Sequence, residues 1–356
     1  MKILVSTRKG LFEVDRTDGW AVGAAHFLGD PVSLSLVDPR DGAWYAALKL
    51  GHFGVKLRRS DDRGATWTEV AAPAFPAGAD GAGPSLSDCW ALSAGGADQP
   101  GRLWFGSIPG GLFRSDDRGE SWVLVESLWN HPLRSSWFGG GADEPGIHTV
   151  LVDPRDSARV LVAVSCGGVW STPDDGATWE IHTAGMKADF MPPALAERPE
   201  TQDPHRLARC AASPDVVWCQ HHNAAYRSVD AGRTWAAIEP PPSHFGFAVV
   251  AHPTDPLTAW FVPAIKDEER IPVDGKVVVA RTRDGGVTWQ ELRHGLPQSH
   301  AYDIVYRHAM DIDGSGDVLA FGSTTGSLWV SGDGGERWDA VSHHLPPVYA
   351  VAFVQG

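Results

Sequence analysis

Six copies of the pattern Ser/Thr-x-Asp-x-Gly-x-x-Trp constrain the fold of this chain more than any other feature. The copies end at Trp67, Trp122, Trp179, Trp235, Trp289 and Trp338. Successive tryptophans therefore lie 55, 57, 56, 54 and 49 residues apart, by subtraction of these numbers. A period of about 50 residues with strand-like flanks is typical of radial or stacked repeat folds. The sequence predicts an all-β repeat protein.

Each copy of the pattern predicts a tight turn between two strands. The Asp side chain can accept hydrogen bonds from backbone N–H groups of the turn. The Gly permits a positive φ without a Cβ penalty. The Trp opens the next strand and can pack between neighbouring sheets. We interpret these aspartates as turn formers rather than as calcium ligands or catalytic acids.

The repeat resembles the Asp box, or bacterial neuraminidase repeat, of propellers such as sialidases, sortilin-type receptors and photosystem assembly factors. The resemblance covers nearly the whole chain. Within this group, the sequence resembles bacterial proteins that are called glycosyl-hydrolase-like. It implies a box between the third and fourth strands of each blade. The Phe-Arg-Ile-Pro segment that precedes the first box of sialidases is absent from this sequence. No sialidase catalytic residue is therefore carried over, and sialidase activity is not expected.

The alternating segments around the boxes predict a seven-bladed β-propeller that forms one domain over residues 1–356. The N-terminus supplies three strands only, at residues 3–6, 10–14 and from Trp20 onward. We expect residues 348–354 to supply the missing strand of this blade. Pairing of the N- and C-terminal strands would then close the ring and remove exposed sheet edges.

Charge and composition exclude several partners. The formal net charge of −14 disfavours binding of nucleic acid or of an anionic membrane surface. We find no secretory segment and no apolar run of membrane-spanning length. The four cysteines show no CxxC spacing. We therefore expect a cytoplasmic protein with no membrane partner.

One end of the predicted propeller carries the long loops, and this end is where we expect a ligand to bind. Counting five residues back from the turn after each innermost strand places His148 and His205 at this axial mouth. His222 follows a neighbouring strand and is predicted to approach them. Asp88 and Tyr302 complete the candidate catalytic residues. Candidate ligand-binding residues are Arg8, Lys49, His52, His222, Asn223, Trp137 and Phe245.

Three uses of the histidines remain open. His148, His205 and His222 could bind a divalent transition metal, because converging imidazoles bind zinc, copper or iron. They could instead act in acid–base chemistry, or simply line the channel as hydrogen-bonded polar groups. Replacing His148 and His205 by Ala is expected to abolish ligand binding and to leave melting nearly unchanged.

The sequence favours a propeller that binds a small-molecule or glycan ligand, with glycosidase-like hydrolase or lyase chemistry. A glycosidase needs two facing carboxylates, and no pair stands out among the candidate acids. The alternative is a non-catalytic scaffold that uses the same face for a protein partner. Propellers host unrelated activities, so the residues at the mouth must distinguish these two functions.

Overall fold

Seven four-stranded antiparallel sheets form a closed ring in the computed structural model, which describes residues 1–77, 83–140 and 142–354. The chain is a seven-bladed β-propeller, as predicted. The innermost strand of each blade contacts those of its two neighbours and surrounds a central axis. The core lies between adjacent blades, where six of the most deeply buried side chains are Trp44, Trp104, Trp170, Trp218, Trp260 and Trp329.

The strands follow the blades in chain order. Blade 1 contains β1 (Lys2–Thr7), β2 (Gly10–Arg16), β3 (Trp20–His26) and the C-terminal strand β28 (Val348–Val354). Blade 2 contains β4 (Val32–Val37), β5 (Trp44–Lys49), β6 (Val55–Ser60) and β7 (Thr68–Val70), and blade 3 contains β8 (Asp88–Ala94), β9 (Leu103–Ile108), β10 (Leu112–Ser115) and β11 (Val123–Leu124). Blade 4 contains β12 (Ile147–Asp153), β13 (Asp156–Val164), β14 (Gly168–Thr172) and β15 (Glu180–Ile181).

The remaining blades repeat this order. Blade 5 contains β16 (Pro204–Arg209), β17 (Val217–His221), β18 (Ala225–Ser228) and β19 (Ala236–Ile238); blade 6 contains β20 (Gly246–Ala251), β21 (Ala259–Pro263), β22 (Val279–Thr282) and β23 (Gln290–Leu292); blade 7 contains β24 (Met310–Ile312), β25 (Leu319–Gly322), β26 (Leu328–Ser331) and β27 (Asp339–Ser342); β28 spans Val348–Val354.

Among the described residues, helical structure is confined to short connecting segments. These are α1 (Glu126–Trp129) and the 3₁₀ turns Gly51–Phe53, Pro132–Ser136, Pro199–Thr201 and Val273–Gly275. Within the described ranges, no helix combines the length and apolar character needed to cross a membrane.

The two ends of the chain close the ring, as predicted. Strand β28 pairs antiparallel with β1, from Lys2 opposite Val354 to Thr7 opposite Val348. Blade 1 therefore takes its innermost strand from the C-terminus and its other three strands from the N-terminus. This pairing removes two sheet edges that would otherwise be open.

The six repeat turns share one hydrogen-bond pattern. In the first, the Gly64 N–H donates to Ser60 Oγ (2.8 Å), and the Thr66 N–H and hydroxyl donate to the two Asp62 carboxylate oxygens (2.8 and 2.6 Å). The N–H bonds to Ser/Thr and to Asp recur in the other five turns. The predicted role of the aspartates as turn acceptors is confirmed.

The repeat tryptophans and glycines connect each blade to the preceding one. The Trp122 ring N–H donates to the Ala71 carbonyl, and that of Trp235 donates to the His182 carbonyl, in each case across a blade boundary (2.8 and 3.0 Å). Gly286 has φ +95°, and a Cβ there would lie 2.6 Å from Ile238 of the neighbouring blade. The turn therefore requires glycine for its conformation and for the close contact between blades.

A β-bulge recurs where the innermost strands begin, at the end of the propeller that carries the long loops. The register between the first and second strands shifts at this point in blades 1 to 6. The extra residues include Ser33, Trp90, His148, His205 and Tyr349. A bulge changes the direction of a side chain, so these residues do not follow the alternation of a regular strand.

Removal of the last eight residues should destabilise the whole ring, because it deletes β28 and exposes the edge of β1. We expect the truncated protein to melt at a lower temperature than the full chain. Removal of residues 355–356 alone is the matched control, since β28 ends at Val354. Thermal unfolding followed by circular dichroism measures the difference, and equal melting of both truncations would contradict the closure model.

The repeat turns should make stability depend on pH in acid. Hydrogen bonds from Thr66 and Thr288 hold the pKa values of Asp62 and Asp284 at about 2, below their ordinary value of 3.8. The stability that these carboxylates contribute is thus present above pH 3.8 and is lost as pH falls towards 2. Denaturant unfolding across this range should show a smaller loss for Asp62→Asn/Asp284→Asn than for the parent. Asp18→Asn, outside the six turns, should leave the acid dependence unchanged.

Candidate ligand site in the axial channel

A cavity of about 580 Å³ opens on the axis at the end of the propeller where the bulges lie. We call it the mouth cavity. Its walls include four aromatic side chains from four blades, Trp90, Phe247, Tyr306 and Tyr349. Aromatic faces pack well against sugar rings and flat organic ligands. The mouth cavity therefore has the size and the apolar walls of a small-molecule site.

The charges around the mouth cavity are mainly positive. Asp88 is the only acid among the described residues that line it, and its carboxylate accepts hydrogen bonds from Ser33 Oγ (2.7 Å) and Lys49 Nζ (2.9 Å). The basic side chains in the lining are Arg8, Lys49, Arg270 and Arg307. The cavity is thus a basic region in a chain of net charge −14.

Arg307 is the most unusual of these cations, because its side chain is buried. The residue is 7 % exposed, and its Nε and Nη2 atoms have no hydrogen-bond partner among the described residues. The guanidinium lies 4.8 Å from the Trp90 ring centre and 5.2 Å from that of Phe247. Burial lowers the pKa of Arg307 to about 10, so the group remains charged at neutral pH. A buried cation with free donors is suited to an anionic partner.

A second chamber of about 250 Å³ lies further along the axis, and His308 and Leu34 line both spaces. Arg206 Nη1 donates to His308 Nδ1 (2.6 Å) between them. Asp311 also lines this chamber, and burial raises its pKa to about 6. Arg206, His308 and Asp311 thus line the second chamber together.

His205 and His222 approach each other beside the channel, as the sequence predicted, but their shared partner is Asp203. The Oδ2 atom of Asp203 lies 3.4 Å from His205 Nε2 and 3.2 Å from His222 Nδ1. Burial alone would raise the pKa of Asp203, yet the histidines and Arg307 together hold it well below its usual range. This histidine–carboxylate cluster borders a side cavity of about 470 Å³, lined in part by His222, Asn223 and Phe245.

His148 does not join the other two histidines. It is fully buried, its Nε2–H donates to the Pro204 carbonyl (2.7 Å), and its Nδ1 accepts from the Thr149 hydroxyl (2.9 Å). Burial, with the charge of Arg307, lowers its pKa well below the ordinary value. Both ring nitrogens are thus occupied within the protein. The predicted triad of His148, His205 and His222 is replaced by Asp203, His205 and His222.

The other predicted site residues lie in the mouth cavity, in the side cavity or elsewhere in the structure. Asp88, Arg8 and Lys49 line the mouth cavity, and Asn223 and Phe245 line the side cavity. Three residues lie elsewhere. His52 is exposed beside Phe53, Tyr302 is 60 % exposed outside the mouth cavity, and Trp137 is buried against Trp170.

The structure of blade 7 explains why Tyr302 lies outside the mouth cavity, contrary to the prediction. The sequence predicts Tyr302 among the residues of the axial mouth, but β24, the innermost strand of this blade, begins only at Met310, and a loop precedes it. Counting five residues back from Asp313, which closes the turn after β24, gives His308 instead. Applied there, the same rule would have found His308 and its neighbour Arg307.

Asp203 was missed although a local signal was present. It lies two residues before His205, so the pair reads Asp-x-His at the start of β16. Arg270 was missed because it belongs to the loop between β21 and β22, whose conformation no repeat pattern predicts. Trp90 was missed because the bulge in β8 follows Cys89.

No family model matches the chain. The chain is 28 % identical over 264 residues to the probable oligoxyloglucan-reducing end-specific xyloglucanase of Neosartorya fischeri, covering 65 % of this chain and 30 % of that protein. It is 24 % identical over 308 residues to the oligoxyloglucan-reducing end-specific xyloglucanase of Emericella nidulans, covering 78 % and 35 %. The chain spans about a third of the length of these curated relatives.

Solved structures with the same fold include two kinds of protein. The GH74 xyloglucanase from Xanthomonas campestris matches with a TM-score of 0.65 and 21 % identity, over 94 % of this chain and 52 % of that one. YCF48 from Cyanidioschyzon merolae matches with a TM-score of 0.54 and 16 % identity, over 93 % and 88 %. At these identities the likeness shows the propeller fold and no more.

The hydrogen bonds of His148 change the outcome expected for its replacement. His148→Ala would remove the imidazole to which the Thr149 hydroxyl donates and the N–H that the Pro204 carbonyl accepts, so we expect a loss of about 1–3 kcal/mol in the free energy of unfolding. Urea unfolding of the variant measures this loss. His343→Ala, which removes an exposed imidazole, is the control. If His148→Ala were as stable as the control, the structural role of His148 would be wrong.

Proposed function

We propose that this chain is a carbohydrate-active propeller that binds an anionic saccharide in the mouth cavity. The observation that carries the proposal is the buried guanidinium of Arg307, with two unpartnered nitrogens, between the aromatic rings of Trp90 and Phe247. A carboxylate or phosphate group on the ligand would accept the hydrogen bonds that Arg307 leaves unmade.

Two observations support a carbohydrate as the ligand. The curated relatives that match over most of this chain are xyloglucanases, which are named for a polysaccharide. The mouth cavity has aromatic walls and a volume of about 580 Å³, within the usual range for small-molecule sites. The hydrogen-bonded repeat turns also support assignment to the Asp-box propellers, which the sequence resembles.

The charges support an acidic rather than a neutral saccharide. Four basic residues line the mouth cavity, and only Lys49 among them pairs with the lining acid Asp88. Arg270 pairs with Asp267 outside the cavity lining. The Nε and Nη2 atoms of Arg307 are buried without a hydrogen-bond partner among the described residues, which costs desolvation energy that an anionic ligand would offset in part.

The proposal extends from binding of the saccharide to its hydrolysis. The usual glycosidase mechanism requires two carboxyl groups about 5 to 10 Å apart across the scissile bond. Among the described lining residues the mouth cavity contributes one, Asp88, and its oxygens already accept two hydrogen bonds. Binding is therefore the better supported step. In a hydrolase, Asp88 would be the acid–base candidate, and the second carboxylate would come from outside the cavity lining.

The second candidate is a scaffold that binds a peptide. One structural neighbour is YCF48 bound to a D1 peptide, with a TM-score of 0.52. A peptide carboxylate could use Arg307 in the same way as a sugar acid. The two candidates differ in the ligand and not in the residues that would bind it.

Substitution of Arg307 tests the proposal. We expect Arg307→Met to weaken binding of uronic acid oligosaccharides by about 10- to 100-fold, the value of one or two charge-assisted hydrogen bonds. Folding should be retained, because the change removes a buried guanidinium whose Nε and Nη2 atoms have no hydrogen-bond partner among the described residues. Isothermal titration calorimetry measures the affinity, and Arg337→Met, an exposed arginine, is the control.

The ligand panel separates the candidates. Neutral xyloglucan oligosaccharides should bind more weakly than uronates of equal length, and reducing-sugar release in the same samples reports hydrolysis. Binding of an acidic peptide with no binding of either saccharide would favour the scaffold. Equal uronate affinity of Arg307→Met and Arg337→Met would rule out the proposed role of Arg307.

A further inference from the structure

We propose that Asp203, His205 and His222 bind a divalent transition-metal ion, with zinc as the expected ion. The three donor atoms lie within 4.8 Å of one another. Two donors that each lie about 2.1 Å from a tetrahedral ion are about 3.4 Å apart. The distances of 3.4 and 3.2 Å from Asp203 Oδ2 to the two imidazole nitrogens match this spacing.

The hydrogen bond of His205 fixes which of its nitrogens is the donor. Its Nδ1 lies 2.6 Å from the Gly246 carbonyl, which can only accept, so Nδ1 carries the hydrogen. In the neutral ring, Nε2 then presents a lone pair to Asp203 Oδ2. Two acceptors facing each other at 3.4 Å require a cation or a proton between them. A metal-bound histidine commonly donates its other N–H to a backbone carbonyl, as His205 does.

The competing explanation is a proton on His205. Such a proton would make the contact between His205 and Asp203 a buried ion pair. Measured zinc binding distinguishes the two explanations, because an ion pair alone provides no metal site.

The groups around the cluster orient its ligands. The other oxygen of Asp203, Oδ1, accepts from Ser165 Oγ (3.1 Å) and from the Cys166 N–H (3.0 Å), which leaves Oδ2 to face the histidines. The Asp203 N–H donates to His221 Nε2 (3.0 Å). Phe247 stacks on the His205 ring at 4.7 Å between centres. Such outer contacts hold metal ligands in position.

The site has room for a fourth ligand. Three protein ligands leave one position of a tetrahedral ion for water or for another molecule. His222 is the ligand that reaches the side cavity, where Phe190 packs against its ring at 4.5 Å.

Metal binding to untagged protein tests the inference. After treatment with a chelator and incubation with excess zinc, we expect one zinc ion per chain by elemental mass spectrometry. Cobalt should give the visible absorption bands of a four- or five-coordinate ion. His222→Asn and Asp203→Asn should each weaken zinc binding by more than about 100-fold. The matched control is His244→Asn, which removes an exposed histidine of the same side cavity and should bind zinc as the parent does.

These measurements test the metal site independently of saccharide binding in the mouth cavity. Circular dichroism establishes whether each variant folds, and the cobalt spectrum of the parent tests the site even if a variant does not. Absence of zinc and cobalt binding in the parent overturns the inference, as does parental affinity in folded His222→Asn. Neither result bears on saccharide binding by Arg307, which contributes no metal ligand.

Discussion

Pairing of the last strand with the first is the interaction on which the rest of this structure depends. Strand β28 is the innermost strand of blade 1 and contacts the innermost strands of blades 2 and 7. Its Tyr349 lines the mouth cavity, and its Ala350, Val351 and Ala352 line the second chamber. The channel therefore exists only in the closed ring. Stability of the fold and formation of the candidate site have the same structural cause.

The axis of the propeller concentrates polar groups that are costly to bury. Most of them are paired, as in the bond from Arg206 to His308 and that from the Phe353 N–H to Asp311. Arg307 differs, because two of its buried nitrogens have no hydrogen-bond partner among the described residues. Cation–π contacts with Trp90 and Phe247 offset only part of its desolvation, and this is why we propose an anionic ligand as its partner.

The fold was predictable because the repeat pattern acts locally. Each Asp accepts hydrogen bonds from residues three or four positions further on, so side-chain chemistry and spacing alone specify the turn. The candidate site was only partly predictable. Of the residues that the sequence predicts at the mouth, Arg8, Lys49 and Asp88 line the mouth cavity. The bulges and the loop before β24 determine which other residues line the cavity, and neither feature follows from strand alternation.

Net charge and local charge act over different distances in this protein. The charge of −14 repels large polyanions, whose many charges remain outside the channel. At physiological ionic strength, however, interactions between exposed charges are screened beyond about 8 Å. Of the four cations that line the mouth cavity, Arg307 is buried, and its interaction with a small anion there would be screened much less. The expectation from net charge that nucleic acids bind poorly is therefore compatible with the small acidic ligand that we propose at the axis.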